Sequence, residues 1–146
     1  MSMKRAIAAA EAIHPAAIVL LRHVRQEDVK SGLGSAQLSA LSVIVYGGPV
    51  SITALAAAEQ VSKPTMSLLV KRLEAEGLIE RQSDPADARV SLIRATPHGR
   101  RIMAQARDRR LRVLADRFAT MPDERVRIIE DAANVLLECM GCSDEP

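Results

Sequence analysis

Aromatic residues are nearly missing from this sequence. Across 146 residues there is no tryptophan, and Tyr46 and Phe118 are the only tyrosine and phenylalanine. Any core must be assembled from Ala, Leu, Ile, Val and Met, which suits helices packed closely on helices. Long apolar runs are also missing. The longest strongly apolar stretch, Pro15 to Leu21, is far short of the roughly 20 residues needed to cross a bilayer, so no membrane span is expected. The N-terminal MSMKRAIAAAE has the outline of a secretory signal. Glu11 interrupts it after five apolar residues, where a true signal carries roughly 7–15. A cytoplasmic location is the expectation. There is no glycine-rich phosphate loop, no H-E-x-x-H pattern and no nucleophile motif, which argues against an enzyme. Neither a cofactor nor a metal is expected.

What is present is ordinary in bulk and uneven in detail. Apolar residues make up 48% and charged residues 26%, as in most globular proteins, and the length fits one domain. The net charge of +2 hides a polarity. Residues 63–117 hold 13 Lys/Arg against 7 Asp/Glu, whereas residues 118–146 hold 2 against 7. A basic middle with an acidic end fits a module that binds a polyanion; it also fits a solvated surface of uneven charge.

Local patterns divide the chain into helices and one hairpin. Residues 4–30 read as helix, with Ile7, Ile18, Leu21 and Val24 as buried candidates and Pro15 expected to kink the helix or start a second one. After Ser31-Gly32-Leu33-Gly34, a helix capped by Gly34 or Ser35 runs to about Tyr46 and stops at Gly47-Gly48-Pro49. Ser51 caps a short helix of about residues 52–58. Ser62 caps the next, with Pro64 in its first turn and Met66, Leu69, Val70 and Leu73 on one inward face. Gly77 ends it. Residues 78–82 and 89–94 read as short strands around the turn Asp84-Pro85-Ala86-Asp87. The turn is too small to add much core. Thr96-Pro97 opens a helix running to about Thr120, and a last helix spans about 123–140. Its Val126, Ile129, Ala133, Leu136 and Met140 form a heptad-like stripe for another helix or another subunit.

Helix, short helix, tight turn, capped helix and hairpin, in that order, make a winged helix-turn-helix: a mainly α fold with a small β-hairpin. The capped helix fits the major groove, and the hairpin is a wing for the backbone or minor groove. The chain resembles the MarR family of transcriptional regulators. The resemblance rests on Leu33-x-x-x-Gln37, Leu55-Ala56, Ser62-Lys63-Pro64-Thr65-Met66-Ser67, Lys71-Arg72-Leu73-Glu74-x-x-Gly77-Leu78-Ile79-x-Arg81, Asp84-Pro85-x-Asp87-x-Arg89 and Thr96-Pro97-x-Gly99. It implies a single domain of 1–146, with the winged helix-turn-helix at 33–99 and dimerisation helices at 1–32 and 100–142. It also implies a homodimer on a pseudo-palindromic duplex, acting as a repressor that a small amphipathic or aromatic molecule releases.

The residues carry specific expectations. Ser62, Thr65 and Ser67 can bond phosphates or base edges, and Lys63 and Lys71 can meet phosphates. Arg72 can fork onto phosphate or guanine. Arg89 is expected in a narrow A·T-rich minor groove, or else in a surface ion pair with Asp87 or Asp84. Asp87 would hold the Arg89 guanidinium or cap the turn. Leu68 stands where the family commonly has a basic or polar residue, which implies a more apolar readout, against a thymine methyl. Glu59-Gln60 replaces a frequent glycine, so a non-glycine residue must accept that turn's geometry. Ala88 replaces a frequent arginine. Arg100, Arg101, Arg107, Arg109, Arg110 and Arg112 read as a mostly solvated basic face.

His23, Tyr46 and Met103 are candidates for an effector pocket, or are plain packing residues. Cys139 and Cys142 form a C-x-x-C that could be a redox switch or half of a metal site. Equally, they could be a buried small hydrophobe and a tail thiol. A winged helix that binds a protein partner instead of DNA is the rival reading.

Overall fold

The structure is a computed structural model that describes residues 2–141. Among these the chain is mainly helical with one small sheet. The first helix, α1, spans Met3–Asp28 and passes through Pro15 without interruption. The expected second start at Pro15 does not occur. The proline ring removes one donor from the helix ladder, and the residues around it are exposed in the single chain.

Ile7, Ile18 and Leu21 were expected to be buried, yet they are 51%, 45% and 49% exposed in the single chain, and Val24 is half-buried. Only Asp28 of this helix is buried. The expectation that no segment could span a membrane also changes. By length and composition residues 3–31 qualify, with a mean hydropathy of 1.4 over their most apolar window and none of that window buried. Glu11 and Arg22 break the apolar runs without lowering the average much.

Two compact units are present, residues 1–110 and 111–146. In the first, a 3-10 turn over Val29–Ser31 leads to α2, Ser35–Gly47, whose start is fixed by the Gln37 Oε1 accepting from the Gly34 N–H at 3.0 Å. Two residues, Val50–Ser51, form β1. They were not anticipated as a strand, because Gly47-Gly48-Pro49 reads only as a helix stop. Then come α3, Ile52–Ala58, capped by Ser51 Oγ on the Ala54 N–H, and α4, Lys63–Ala75, capped by Ser62 Oγ on the Thr65 N–H. β2, Ile79–Ser83, and β3, Ser91–Ala95, complete an antiparallel sheet of order β1-β3-β2. Ile79 pairs with Ala95 and Ser83 with Ser91, so the hairpin arms are in simple register.

The core gathers Leu38, Leu41 and Ile44 of α2, Leu55 of α3 and Met66, Val70 and Leu73 of α4. The base of the hairpin joins it. Ile79, Ile93 and Ala95 are at most 2% exposed, so the wing's root contributes more core than its short loop suggested. α5, Pro97–Phe118, starts under Thr96, whose Oγ1 accepts from the Gly99 N–H and donates to the Gly77 carbonyl. Gly99 lies so close to the Leu78 carbonyl that a Cβ there would overlap it.

Arg110 of α5 does not belong to a solvated basic face. Its Nε donates to Asp28 Oδ1 at 2.6 Å in a largely buried pair that ties the end of α1 to α5. The second unit holds the last turns of α5 and α6, Asp123–Cys139. In it Leu114, Phe118, Val126, Ile129 and Leu136 are half-buried, while Ile128, Val135, Leu137 and Met140 are 51–73% exposed.

Candidate nucleic-acid interface

The outward side of α4 is built by its inward side. Met66, Val70 and Leu73 are at most 1% exposed, which turns Pro64, Thr65, Leu68, Lys71 and Arg72 to the surface. Ser62 and Lys63 are exposed at its start, and Ser67 is half-buried. The ends are firmly tied. Ser62 Oγ and Thr65 Oγ1 share a 2.7 Å hydrogen bond above the first turn. At the other end the Gly77 N–H bonds the Glu74 carbonyl and the Leu78 N–H bonds the Leu73 carbonyl, with Gly77 at φ +69°. This is the Schellman pattern that a C-terminal glycine permits. The turn leading into α4 makes the same pattern without glycine. Gln60 stands at φ +55°, and the Val61 N–H bonds the Ala56 carbonyl at 3.0 Å.

Side chains missed by the sequence reading brace this helix. Glu74 accepts from Arg81 Nε of β2 at 3.3 Å, and Glu76 accepts from Gln37 Nε2 of α2 at 3.2 Å. Glu80 accepts from Arg94 Nε at 2.7 Å across the hairpin. That last pair was open to inference, since the two residues face each other in register. The other two join elements that only the fold brings together.

The wing tip is closed by hydrogen bonds within its own loop. Asp84 Oδ1 accepts from the Ala86 N–H, and Asp87 Oδ1 accepts from the Arg89 N–H. The Val90 N–H bonds the Asp87 carbonyl, and the Asp84 N–H bonds the Val90 carbonyl, closing the loop. Arg89 therefore lies in the tip turn and not on the returning strand, which begins at Ser91. Its Nε and Nη2 donate to the two Asp87 oxygens at 3.0 Å each, a planar two-point pair. The Arg89 side chain is still 90% exposed. The bonds from Arg89, side chain first and backbone second, hold the Asp87 carboxyl below its ordinary value, and the side-chain pair raises the guanidinium above its own. Both Asp87 roles anticipated from sequence occur together.

The three candidate effector residues differ in exposure. Met103 is 1% exposed, inside the core. Tyr46 is 54% exposed at the end of α2, and His23 Nδ1 lies 2.9 Å from the Val19 carbonyl within α1. A concavity of about 260 Å³ instead lies over Leu21, Val24, Asp28, Ser39, Ser42 and Arg110. Cys139 is an exposed free thiol, and Cys142 lies outside the described residues.

Comparison with known proteins accounts for this arrangement. A MarR-family model matches residues 31–90. An uncharacterised HTH-type transcriptional regulator of Mycobacterium leprae, ML2140, is 30% identical over 119 residues, covering 82% of this chain and 83% of that one. This chain belongs to the MarR family. A MarR family protein from Bacillus stearothermophilus has the same fold, with a TM-score of 0.82 at 23% identity over 97% of this chain and 99% of the other. A variant of MepR from S. aureus, solved bound to an oligodeoxyribonucleotide, superposes with a TM-score of 0.69 at 18% identity, over 90% and 97% of the two chains. The relatives found by sequence are named as HTH-type transcriptional regulators and not as enzymes.

Proposed function

We propose that this MarR-family chain is a sequence-specific double-stranded DNA-binding regulator that acts as a homodimer on a pseudo-palindromic operator. The observation that carries the reading is the wing tip. An arginine that is 90% exposed makes a two-point pair with Asp87, on the hairpin that follows a helix whose outward face carries Lys63, Lys71 and Arg72. An exposed ion pair adds little to stability, so a paired guanidinium at a hairpin tip is best explained by something it meets there. A narrow minor groove concentrates the negative potential that attracts it. MepR, the DNA-bound neighbour, supports the same use of this fold.

The homodimer is supported by apolar side chains left open to solvent. On α1 these include Ile7, Ile13, Ile18 and Leu21, and on α6 Ile128, Val135 and Leu137. A soluble regulator covers such surface with a second copy, and on this reading the apolar α1 faces protein and not lipid. The protein works in the cytoplasm, as a repressor. An amphipathic effector fits the concavity of mixed apolar and hydroxyl lining beside the Asp28–Arg110 pair.

Selection of bound duplexes from a random pool tests the whole reading. An inverted repeat with half-sites about one helical turn apart is the expected product. Affinity should fall steeply with salt, as release of phosphate counterions requires. Arg89→Ala should weaken binding about tenfold, with the largest loss at A·T-rich flanks. Binding that is indifferent to salt and to Arg89 would move the reading to a protein-binding winged helix.

A further inference from the structure

The face that α4 would offer to a groove is cationic only at its edges. Along its middle run apolar groups: Pro64 and Leu68, four residues apart on one side of the helix, with Val61 just ahead of the cap. Leu68 is 56% exposed and Val61 40%. Within residues 33–99 the only other large apolar side chain that exposed is Tyr46. The hydroxyls nearest this strip are engaged. Ser62 Oγ caps the Thr65 N–H, and Ser62 and Thr65 share a hydrogen bond, so two residues keep a single free hydroxyl proton between them. Ser67 is half-buried. The cations Lys63, Lys71 and Arg72 surround the strip, and no Asp or Glu occurs from Val61 to Arg72. Leu68 also lines a concavity of about 310 Å³ with Thr65, Leu69, Arg72 and Gln37.

An apolar strip inside a cationic frame complements one feature of duplex DNA. The phosphates answer the frame, and the single apolar group on the floor of the major groove, the C5-methyl of a pyrimidine, answers the strip. We propose that Leu68 is a specificity-determining residue that reads a pyrimidine C5-methyl in each half-site, with Pro64 and Val61 beside it. The proposal rests on the DNA-binding reading above. It assigns the polar readout to Arg72 and the wing, and leaves the N-terminal half of α4 to shape and methyl contact. Thymine is the expected source of the methyl; 5-methylcytosine presents the same group.

The test uses full-length protein and its selected duplex, resynthesised with deoxyuridine replacing thymine one position at a time. Uracil keeps every hydrogen-bonding group of thymine and lacks only the methyl. At one position per half-site the loss should be about fourfold, the equivalent of one buried methyl-sized group. Substituting both symmetric positions should cost about 15-fold. Leu68→Ala, at an exposed site that leaves the core intact, should bind the thymine duplex more weakly and show no further loss with uracil. Replacing the sensitive pair by C·G should weaken binding, and 5-methylcytosine in place of that cytosine should recover part of it. Uracil tolerated at every position, an undiminished uracil penalty in Leu68→Ala, or no gain from 5-methylcytosine would each overturn the proposal while leaving DNA binding intact. Failure to select any duplex would instead remove the DNA-binding reading, and this proposal with it.

Discussion

At the scale of single residues, Gln60 and Asp87 show opposite uses of local geometry. Gln60 holds φ +55°, a left-handed conformation that costs a residue with a Cβ about 1–2 kcal/mol. Gln60→Gly relieves that strain but loosens the unfolded chain. The net gain should be about 0.5 kcal/mol in denaturant unfolding, with no change in DNA affinity. The departure from glycine was visible in the sequence, and the structure shows the strain it implies. Asp87 accepts three bonds from Arg89, so its carboxyl titrates below the ordinary value of 3.8. A carboxyl lowered on folding stabilises above its unfolded pKa, and that contribution disappears as pH falls through the folded one. The carboxyl carbon-13 shift of Asp87 should therefore titrate with a midpoint below 3.8, and the midpoint should rise in Arg89→Ala. A native midpoint at or above 3.8 would count against the pair.

At the scale of elements, caps and stops were legible because their chemistry is local. Ser51, Ser62 and Thr96 cap as their residue types require, and Gly77 stops α4. What stayed hidden needed the third dimension. β1 is two residues long and exists only because β3 runs beside it. Arg110 has no sequence cue that singles it out from its basic neighbours, and only the fold places it against Asp28. Met103 has the flexible chain of a pocket wall but fills the core. Gly99 marks the tightest approach between elements, where α5 starts against the Leu78 carbonyl. Gly99→Ala should cost about 1–3 kcal/mol from overpacking and lower the melting temperature. Because backbone, not a flexible side chain, is in the way, the effect should lie toward the upper part of that range.

At the scale of the whole molecule, the apolar positions of the first helix and the apolar stripe of the last were legible, and what covers them was not. Ile18 and Leu21 were expected to be buried, yet in one chain they remain 45% and 49% exposed. Leu21→Asp should shift sedimentation from dimer to monomer and reduce operator affinity by more than tenfold, since a lone protomer engages one half-site. A monomeric native protein at micromolar concentration would contradict the dimer. The wing carries a different consequence. If the wing docks on DNA with the Arg89–Asp87 pair intact, it surrenders less conformational freedom than an unpaired arginine would. The advantage of that pre-organisation should appear as a smaller entropic penalty, not as an additional contact.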